Sequence, residues 1–186
     1  MNSKQVLLVT SLAYLMMCSN NLVAQHEEHT SAPEFLEFKH GISFVVGHTY
    51  ISKGVRNDSD NWISAPSFGI NYNFRLNEKW SIGLHNDIII ESFAVELTNR
   101  SETIERVFPI SNILMSNYWI TDSWAVAAGA GVEWERNEHF EMIRLGTEYA
   151  MGLKKSHLEV LFTLNYDILI DAFDTINFGI GLNRLF

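Results

Sequence analysis

The feature that most constrains this chain is an alternation of large apolar residues with small or polar ones. In the stretch SFGINYNFRL (67–76), every second residue is large and apolar, and the residues between them are Ser, Gly, Asn and Arg. A period of two is the pattern of a β-strand with two unlike faces. The sequence therefore predicts an all-β fold.

The same alternation recurs to the last residue and predicts eight strands. Their ranges are 39–52, 67–76, 80–90, 106–120, 124–135, 140–153, 157–171 and 175–186. The range 106–120 has the weakest contrast between its faces, and Pro109 removes a ladder donor from it. A proline at this point implies a bulge or a strand that begins later.

The connections between these strands alternate in length. Short links occupy 76–79, 121–123 and 154–156, whereas the links on the other side are 52–62, 92–105, 136–139 and 172–175, of which the first two are long and polar. This pattern is typical of an eight-stranded antiparallel up-and-down transmembrane barrel with short periplasmic turns and longer extracellular loops. The long loops carry Trp62 and Phe93, which we expect to be available for contact with an extracellular ligand.

The two strand faces differ in charge, and this difference predicts which face points inward. The interior of an eight-stranded barrel is barely wide enough for side chains, so the small and polar face suits it and the large apolar face is expected to meet lipid. A soluble barrel would have to pack all the Phe and Ile side chains into that interior. The aromatic residues beside the short links, which are Trp80, Tyr118, Trp119 and Trp124, fit a membrane-interface girdle.

The first 24 residues have the pattern of a secretory signal peptide. Lys4 precedes an apolar stretch from Val6 to Cys18, and cleavage is expected after Ala24. A membrane anchor is the alternative, but about 13 apolar residues are fewer than the roughly 20 that a spanning helix needs. A lipoprotein acylated on Cys18 is disfavoured because Met17 stands where a small residue is expected. The predicted organisation is a signal peptide (1–24), a mobile leader (25–38) and a barrel domain (39–186).

The composition excludes several classes of function. Without the signal peptide, which carries Lys4 and no acid, 12 basic residues face 22 acidic ones, a net charge of −10. Such a chain is a poor candidate for nucleic-acid binding. Cys18 is the only cysteine, so neither a disulfide framework nor a thiol metal site is expected. His26 and His29 are interpreted as part of a polar tail, and no metal or cofactor is predicted.

At its C-terminal end the chain resembles a known family. The signal peptide, the eight alternating strands and the ending FGIGLNRLF (178–186) resemble the small outer-membrane β-barrels of Gram-negative bacteria, typified by the OmpA membrane domain and OmpX. The resemblance implies outer-membrane lipid as the surroundings and a terminal signal read by the barrel assembly machinery, carried by Phe178, Ile180, Leu182 and Phe186. Arg184 departs from that pattern by placing a charge on the outer face. The resemblance covers 39–186 and implies no activity.

Charged residues on the inward face predict a polar network in the lumen. Its predicted members are Arg75, His85, Asp87, Glu91, Glu133, Arg144, Glu148, Glu159 and Asp167. Counting from the short turns places Arg144 level with Glu133 and Asp167, with Asp87 and Glu91 across the lumen. Because buried charges need partners, the network favours a plugged lumen. Passage of small ions or solutes is the alternative.

An enzyme is the least favoured interpretation. Some small outer-membrane barrels modify lipid A with a histidine and a serine near the outer rim. The pairs available here are His48 with Ser52 and His139 with Glu141, and neither offers a nucleophile, a base and an orienting group together. We therefore expect no catalytic residues, and a structural or surface-interaction role.

Overall fold

The computed structural model describes residues 39–56, 59–97, 102–136, 138–153 and 157–186. Its ten strands are β1 (His40–Arg56), β2 (Ser59–Arg75), β3 (Trp80–Ile89), β4 (Ser92–Glu96), β5 (Thr103–Val107), β6 (Ile110–Trp119), β7 (Trp124–Trp134), β8 (His139–Gly152), β9 (Leu158–Leu169) and β10 (Asp174–Leu185). Within these residues, no helix has the length and hydropathy needed to cross a membrane. The predicted signal peptide and leader, with Cys18, His26 and His29, lie outside them.

Eight of the strands close into one antiparallel barrel. In the order β1, β2, β3, β6, β7, β8, β9 and β10, each strand pairs with the next. Strand β10 then pairs with β1 from Gly41↔Leu185 to Ile51↔Thr175. This arrangement confirms the predicted eight-stranded up-and-down barrel, and closure pairs the edges that an open sheet would expose.

One end of the barrel carries tight turns and the C-terminus, and we name it the turn end. In the turn between β2 and β3, Oδ1 of Asn77 accepts hydrogen bonds from the backbone N–H groups of Lys79 and Trp80, both at 2.9 Å. Thr121 Oγ1 plays the same part before β7. Such side-chain caps are the reason that Asn and Thr favour tight turns. The opposite end is the loop end.

The segment 52–62, predicted as a loop, is largely β-structure, so that prediction was wrong. Strand β1 continues to Arg56 and β2 begins at Ser59, so the hairpin extends beyond the closed barrel. The register shifts between Ile51 and Gly54, where Lys53 has a φ of 55°. A bulge at this point changes the direction of the strand without ending it. The polar sequence of the segment gives no sign that the strand continues.

The segment 92–105 was also wrongly predicted as a loop, because it forms much of a second hairpin, β4–β5. The predicted strand 106–120 is correspondingly divided: β5 ends at Val107, Phe108 has a φ of 48°, and β6 begins at Ile110. The strand therefore begins after Pro109. This is one of the two outcomes, a bulge or a later strand start, that were expected from the missing backbone N–H of the proline.

The barrel turns its large apolar residues outward, as predicted. Leu114 is 66% exposed and Ile70 is 59% exposed, and the same outer face carries Tyr72, Phe162 and Tyr166. The inward face is small, polar or charged over much of its length. Near the turn end, Trp80 packs on Tyr118 and Trp124 on Tyr149 along the outer surface. Trp119, predicted for the same girdle, instead points inward and donates its Nε1–H to Ser81 Oγ.

An apolar cluster lies at the loop end of the barrel, and we name it the mouth cluster. The hairpin β4–β5 contributes Phe93, Val95 and Leu97, and the barrel contributes Ile51, Ala65, Ile89, Ile113, Met115, Met142, Leu169, Ala172 and Phe173. Strand β4 meets β1 at Gly54↔Val95. Phe93 is buried with its ring edge against Phe173, so the prediction that it is available for ligand contact was wrong. Trp62 is exposed.

Candidate functional site

Arg144 lies at the centre of the polar lumen, on the inward face of β8. Its Nε and Nη2 atoms donate to the two carboxylate oxygens of Asp167 at 2.6 and 2.7 Å, and the two residues are register partners on β8 and β9. Its Nη1 donates to Asp87 on β3. A two-pronged contact of this kind is the strongest geometry for an arginine–carboxylate pair. Arg144 therefore connects three strands through the lumen.

Glu133 is paired with Arg106, whereas the sequence had placed Glu133 beside Arg144. Arg106 Nη2 donates to Glu133 Oε1 at 2.7 Å, and its Nη1 lies 4.0 Å from Glu135. The Arg106 guanidinium also lies 4.9 Å from the ring centre of Phe140. Sequence reasoning missed Arg106 because it assigned 106–120 to one strand with two similar faces. The alternation of the sequence could have indicated it, because Arg106 lies two residues after Ile104 and therefore on the same, inward side of β5.

A third set of charges lies near the turn end. The side chains of Arg75, Glu148, Glu159 and Asn183 border a cavity of about 40 Å³, which we name the chamber. Asn183 Nδ2 donates to Glu159 Oε2 at 2.8 Å, and the guanidinium of Arg75 lies 4.6 Å from the ring centre of Trp119. Burial of these groups is possible because the neighbouring strands present small residues and amides inward.

A second cavity, of about 20 Å³, lies between the chamber and Arg144. It is bordered by His85, Asp87, Arg144 and Glu148, so Glu148 faces both cavities. His85 Nε2 donates to Asn73 Oδ1 at 3.2 Å. A cavity of this size holds about one water molecule.

Glu91 does not belong to the network, so that prediction was wrong. It is exposed at the loop end between β3 and β4, because the chain leaves the barrel sheet after Ile89. The other predicted members face inward.

The inward charges form three tiers, each with one arginine and two carboxylates. The loop-end tier is Arg106 with Glu133 and Glu135, the middle tier is Arg144 with Asp87 and Asp167, and the turn-end tier is Arg75 with Glu148 and Glu159. Each tier has one more carboxylate than arginine. The arrangement can fill the lumen and hold small cations or protons, and its lumen-facing surface is negative.

The candidate hydrolytic pairs are not assembled. His48 lies on the outer face with Nδ1 3.3 Å from Ser64 Oγ, whereas Ser52 accepts a hydrogen bond from the backbone N–H of Asp174. His139 stacks on Trp134, and Glu141 is exposed. In the part of the chain that the structure describes, no three His, Cys, Asp or Glu side chains are placed to hold a metal ion.

The residues of the predicted assembly signal lie together on the outer face of β10 and at the C-terminus. Phe178, Ile180, Leu182 and Phe186 are exposed, and so is Arg184. The Phe186 ring stacks on His40 with 5.6 Å between ring centres, and the two backbones exchange hydrogen bonds. Their role in assembly stays a prediction.

No family model matches the sequence, and no curated protein matches it. Two solved structures share the architecture. The N-terminal β-barrel domain of Pseudomonas aeruginosa OprF has a TM-score of 0.55 and 12% identity, over 80% of this chain and 98% of that one. Neisserial surface protein A has a TM-score of 0.52 and 8% identity, over 79% and 97%. At such identities the likeness concerns the fold alone, and the fold of this chain is that of the small eight-stranded outer-membrane β-barrels.

Proposed function

We propose that this protein is an integral outer-membrane β-barrel whose lumen is plugged by its own side chains, with a structural or surface-interaction role. The outward belt of large apolar side chains supports the membrane location. Contiguous apolar surface of this extent is unfavourable in water and marks contact with lipid or protein. Strands β1 to β3 and β6 to β10 have at least the 9 to 11 residues that a tilted crossing needs.

The observation that carries the plug is the position of Arg144. Its side chain is 3% exposed and is bonded on one side to Asp167 and on the other to Asp87. An ion passing this level would have to separate a two-pronged pair in a barrel that has little spare width. The middle tier therefore acts as a barrier.

The mouth cluster supplies a second barrier. Hairpin β4–β5 places Phe93, Val95 and Leu97 against inward-facing residues of the barrel, and Arg106 anchors it to Glu133. An apolar constriction disfavours water and ions. With both barriers in place, function is expected on the surface and not in transport.

The loop end is the proposed contact surface, exposed to the cell exterior in the orientation that short periplasmic turns imply. Its exposed residues include Trp62, Trp134 and the carboxylates of Glu102, Glu105 and Glu141. An aromatic and acidic surface suits a basic or carbohydrate partner. In this proposal the apolar belt contacts outer-membrane lipid, and the β10 face engages the barrel assembly machinery during insertion.

The test is conductance of the chain without its predicted signal peptide, refolded into a planar bilayer after heat-modifiable gel migration has shown that it is folded. The expected result is a silent barrel. The variant Arg144→Ala with Arg106→Ala is expected to produce measurable steps, and Arg136→Ala, which changes an exposed arginine, is the matched control. Stable steps in the unaltered protein would overturn the plug and establish passage of ions.

A further inference from the structure

Glu148 is a buried carboxylate without a direct partner. It is 9% exposed, and among the described residues it has no hydrogen bond or ion pair. Its side chain borders both the chamber and the cavity beneath Arg144. A buried carboxylate without a hydrogen bond or an ion pair is unfavourable in its charged form, so a proton or a bound cation would stabilise it.

The neighbours of Glu148 supply further oxygen atoms. Glu159 is a second buried carboxylate in the chamber wall, and one of its oxygens accepts the amide N–H of Asn183. That hydrogen bond fixes the orientation of the Asn183 amide and leaves its Oδ1 buried without a partner. Ser43, the register partner of Asn183 on β1, has an unpaired buried Oγ as well. Buried polar atoms without partners are rare, and each calls for an occupant.

The charges around the chamber are uneven. Arg75 contributes one positive charge, whereas Glu148 and Glu159 contribute two negative charges. Lys39 stands at the rim and is exposed, so water and salt screen its charge. His40 is also at the rim, where its Nδ1 is hydrogen-bonded to the hydroxyl of Tyr72. One further positive charge would balance the buried groups.

We propose that the chamber binds one hard monovalent cation of the size of sodium, held by Glu148, Glu159 and Oδ1 of Asn183. Carboxylate and amide oxygens are the donors that hard cations prefer. Most transition-metal sites use imidazole or thiolate donors, whereas the histidine that borders the chamber, His40, lies at its rim with Nδ1 hydrogen-bonded to Tyr72. The volume of about 40 Å³ admits one small cation with about one or two waters. This inference goes beyond the proposed plug and does not depend on whether the barrel conducts.

The first test measures thermal unfolding of the refolded protein in a non-ionic detergent, with circular dichroism as the signal. It compares sodium chloride with N-methyl-D-glucamine chloride at equal ionic strength. A ligand that binds only the folded state raises the unfolding midpoint. We expect sodium at saturation to raise it by about 3 °C or more over the bulky cation. The shift should disappear in Glu148→Gln and persist in Glu141→Gln, which removes an exposed carboxylate at the loop end.

The second test is the ²³Na line width of the unaltered protein, which should broaden in the presence of the barrel and narrow when potassium competes. This measurement tests sodium binding even if the Glu148→Gln variant does not fold, because it uses the unaltered protein. Equal midpoints in the two salts, or a sodium shift retained by Glu148→Gln, would overturn the proposal. A shift with calcium or magnesium alone would overturn the monovalent assignment. Stability that depends on pH and not on sodium would show that Glu148 holds a proton instead.

Discussion

Arg144 on β8 donates through Nε and Nη2 to both carboxylate oxygens of Asp167 on β9, and its third donor reaches Asp87 on β3. One guanidinium therefore joins three strands of the closed barrel: β8 and β9 are neighbours in the sheet, and β3 is a neighbour of neither. The middle tier is thus a structural crosslink.

Arg144→Met is expected to destabilise the folded barrel by about 3–5 kcal/mol, because it leaves the buried carboxylate of Asp167 and the partly buried carboxylate of Asp87 without their counter-charge. The free energy of unfolding in urea, followed by tryptophan fluorescence in lipid vesicles, measures the loss. Arg136→Met, at an exposed position, should unfold like the unaltered protein. Adding Asp87→Asn and Asp167→Asn to Arg144→Met should recover most of the loss. A cost below about 1 kcal/mol would mean that the pair contributes little.

Leu114→Arg tests contact with lipid. Leu114 lies near the middle of β6 and is the residue on the outer face with 66% exposure. In a bilayer, arginine at mid-depth should lower the free energy of unfolding by about 2–4 kcal/mol, whereas Ile120→Arg, just beyond the strand, should cost about 0–1 kcal/mol. Equal, small effects at both positions would contradict a membrane-embedded outer face.

Gly131→Ala tests the close approach of β6 and β7. A Cβ atom at Gly131 would meet the backbone of Asn112 and Ile113, lying 2.7 Å from the Ile113 Cα. Because backbone cannot move aside as a side chain can, the substitution should cost about 1–3 kcal/mol of unfolding free energy. Gly152→Ala is the matched control, since nothing lies within 4 Å of the added atom. Equal stabilities of the two variants would contradict this packing.

Arg106→Gln tests whether hairpin β4–β5 is held by the buried ion pairs of Arg106 with Glu133 and Glu135. The substitution shortens the side chain and removes the charge that faces Glu133. Amide hydrogen exchange should become faster in β4 and β5 and stay unchanged in β8 and β9, as expected for local opening. Arg136→Gln should leave both regions unaltered. Faster exchange throughout the barrel would show that Arg106 supports the whole fold and not the hairpin alone.

The barrel strands and their faces were predictable because a period of two is a local signal that each strand carries for itself. The partners inside the lumen were only partly predictable. Arg144 was placed beside Asp167 because their strands are adjacent, but its second partner is Asp87 and not Glu133. Strand stagger decides which residues meet through the lumen, and counting from the turns does not fix that stagger.

The hairpin at the mouth was missed for a different reason. Phe93, Val95 and Leu97 do alternate with smaller or charged residues, yet β4 is only five residues long and lies in a polar segment. A signal of that length is indistinguishable from a loop until the apolar surface that it covers is known. The same is true of Arg106, whose buried position depends on the hairpin.

The composition of the mouth cluster also sets an order of events in folding. The apolar side chains of β4 are buried against residues contributed by β1, β2, β3, β6, β8 and β9, which come together only when these strands have paired. Contacts between segments so distant along the chain form late, since the intervening chain must be ordered first. We therefore expect the hairpin to dock late, after the strands that carry its burial surface have paired, so that the apolar side chains of β4 are the last part of this cluster to leave water.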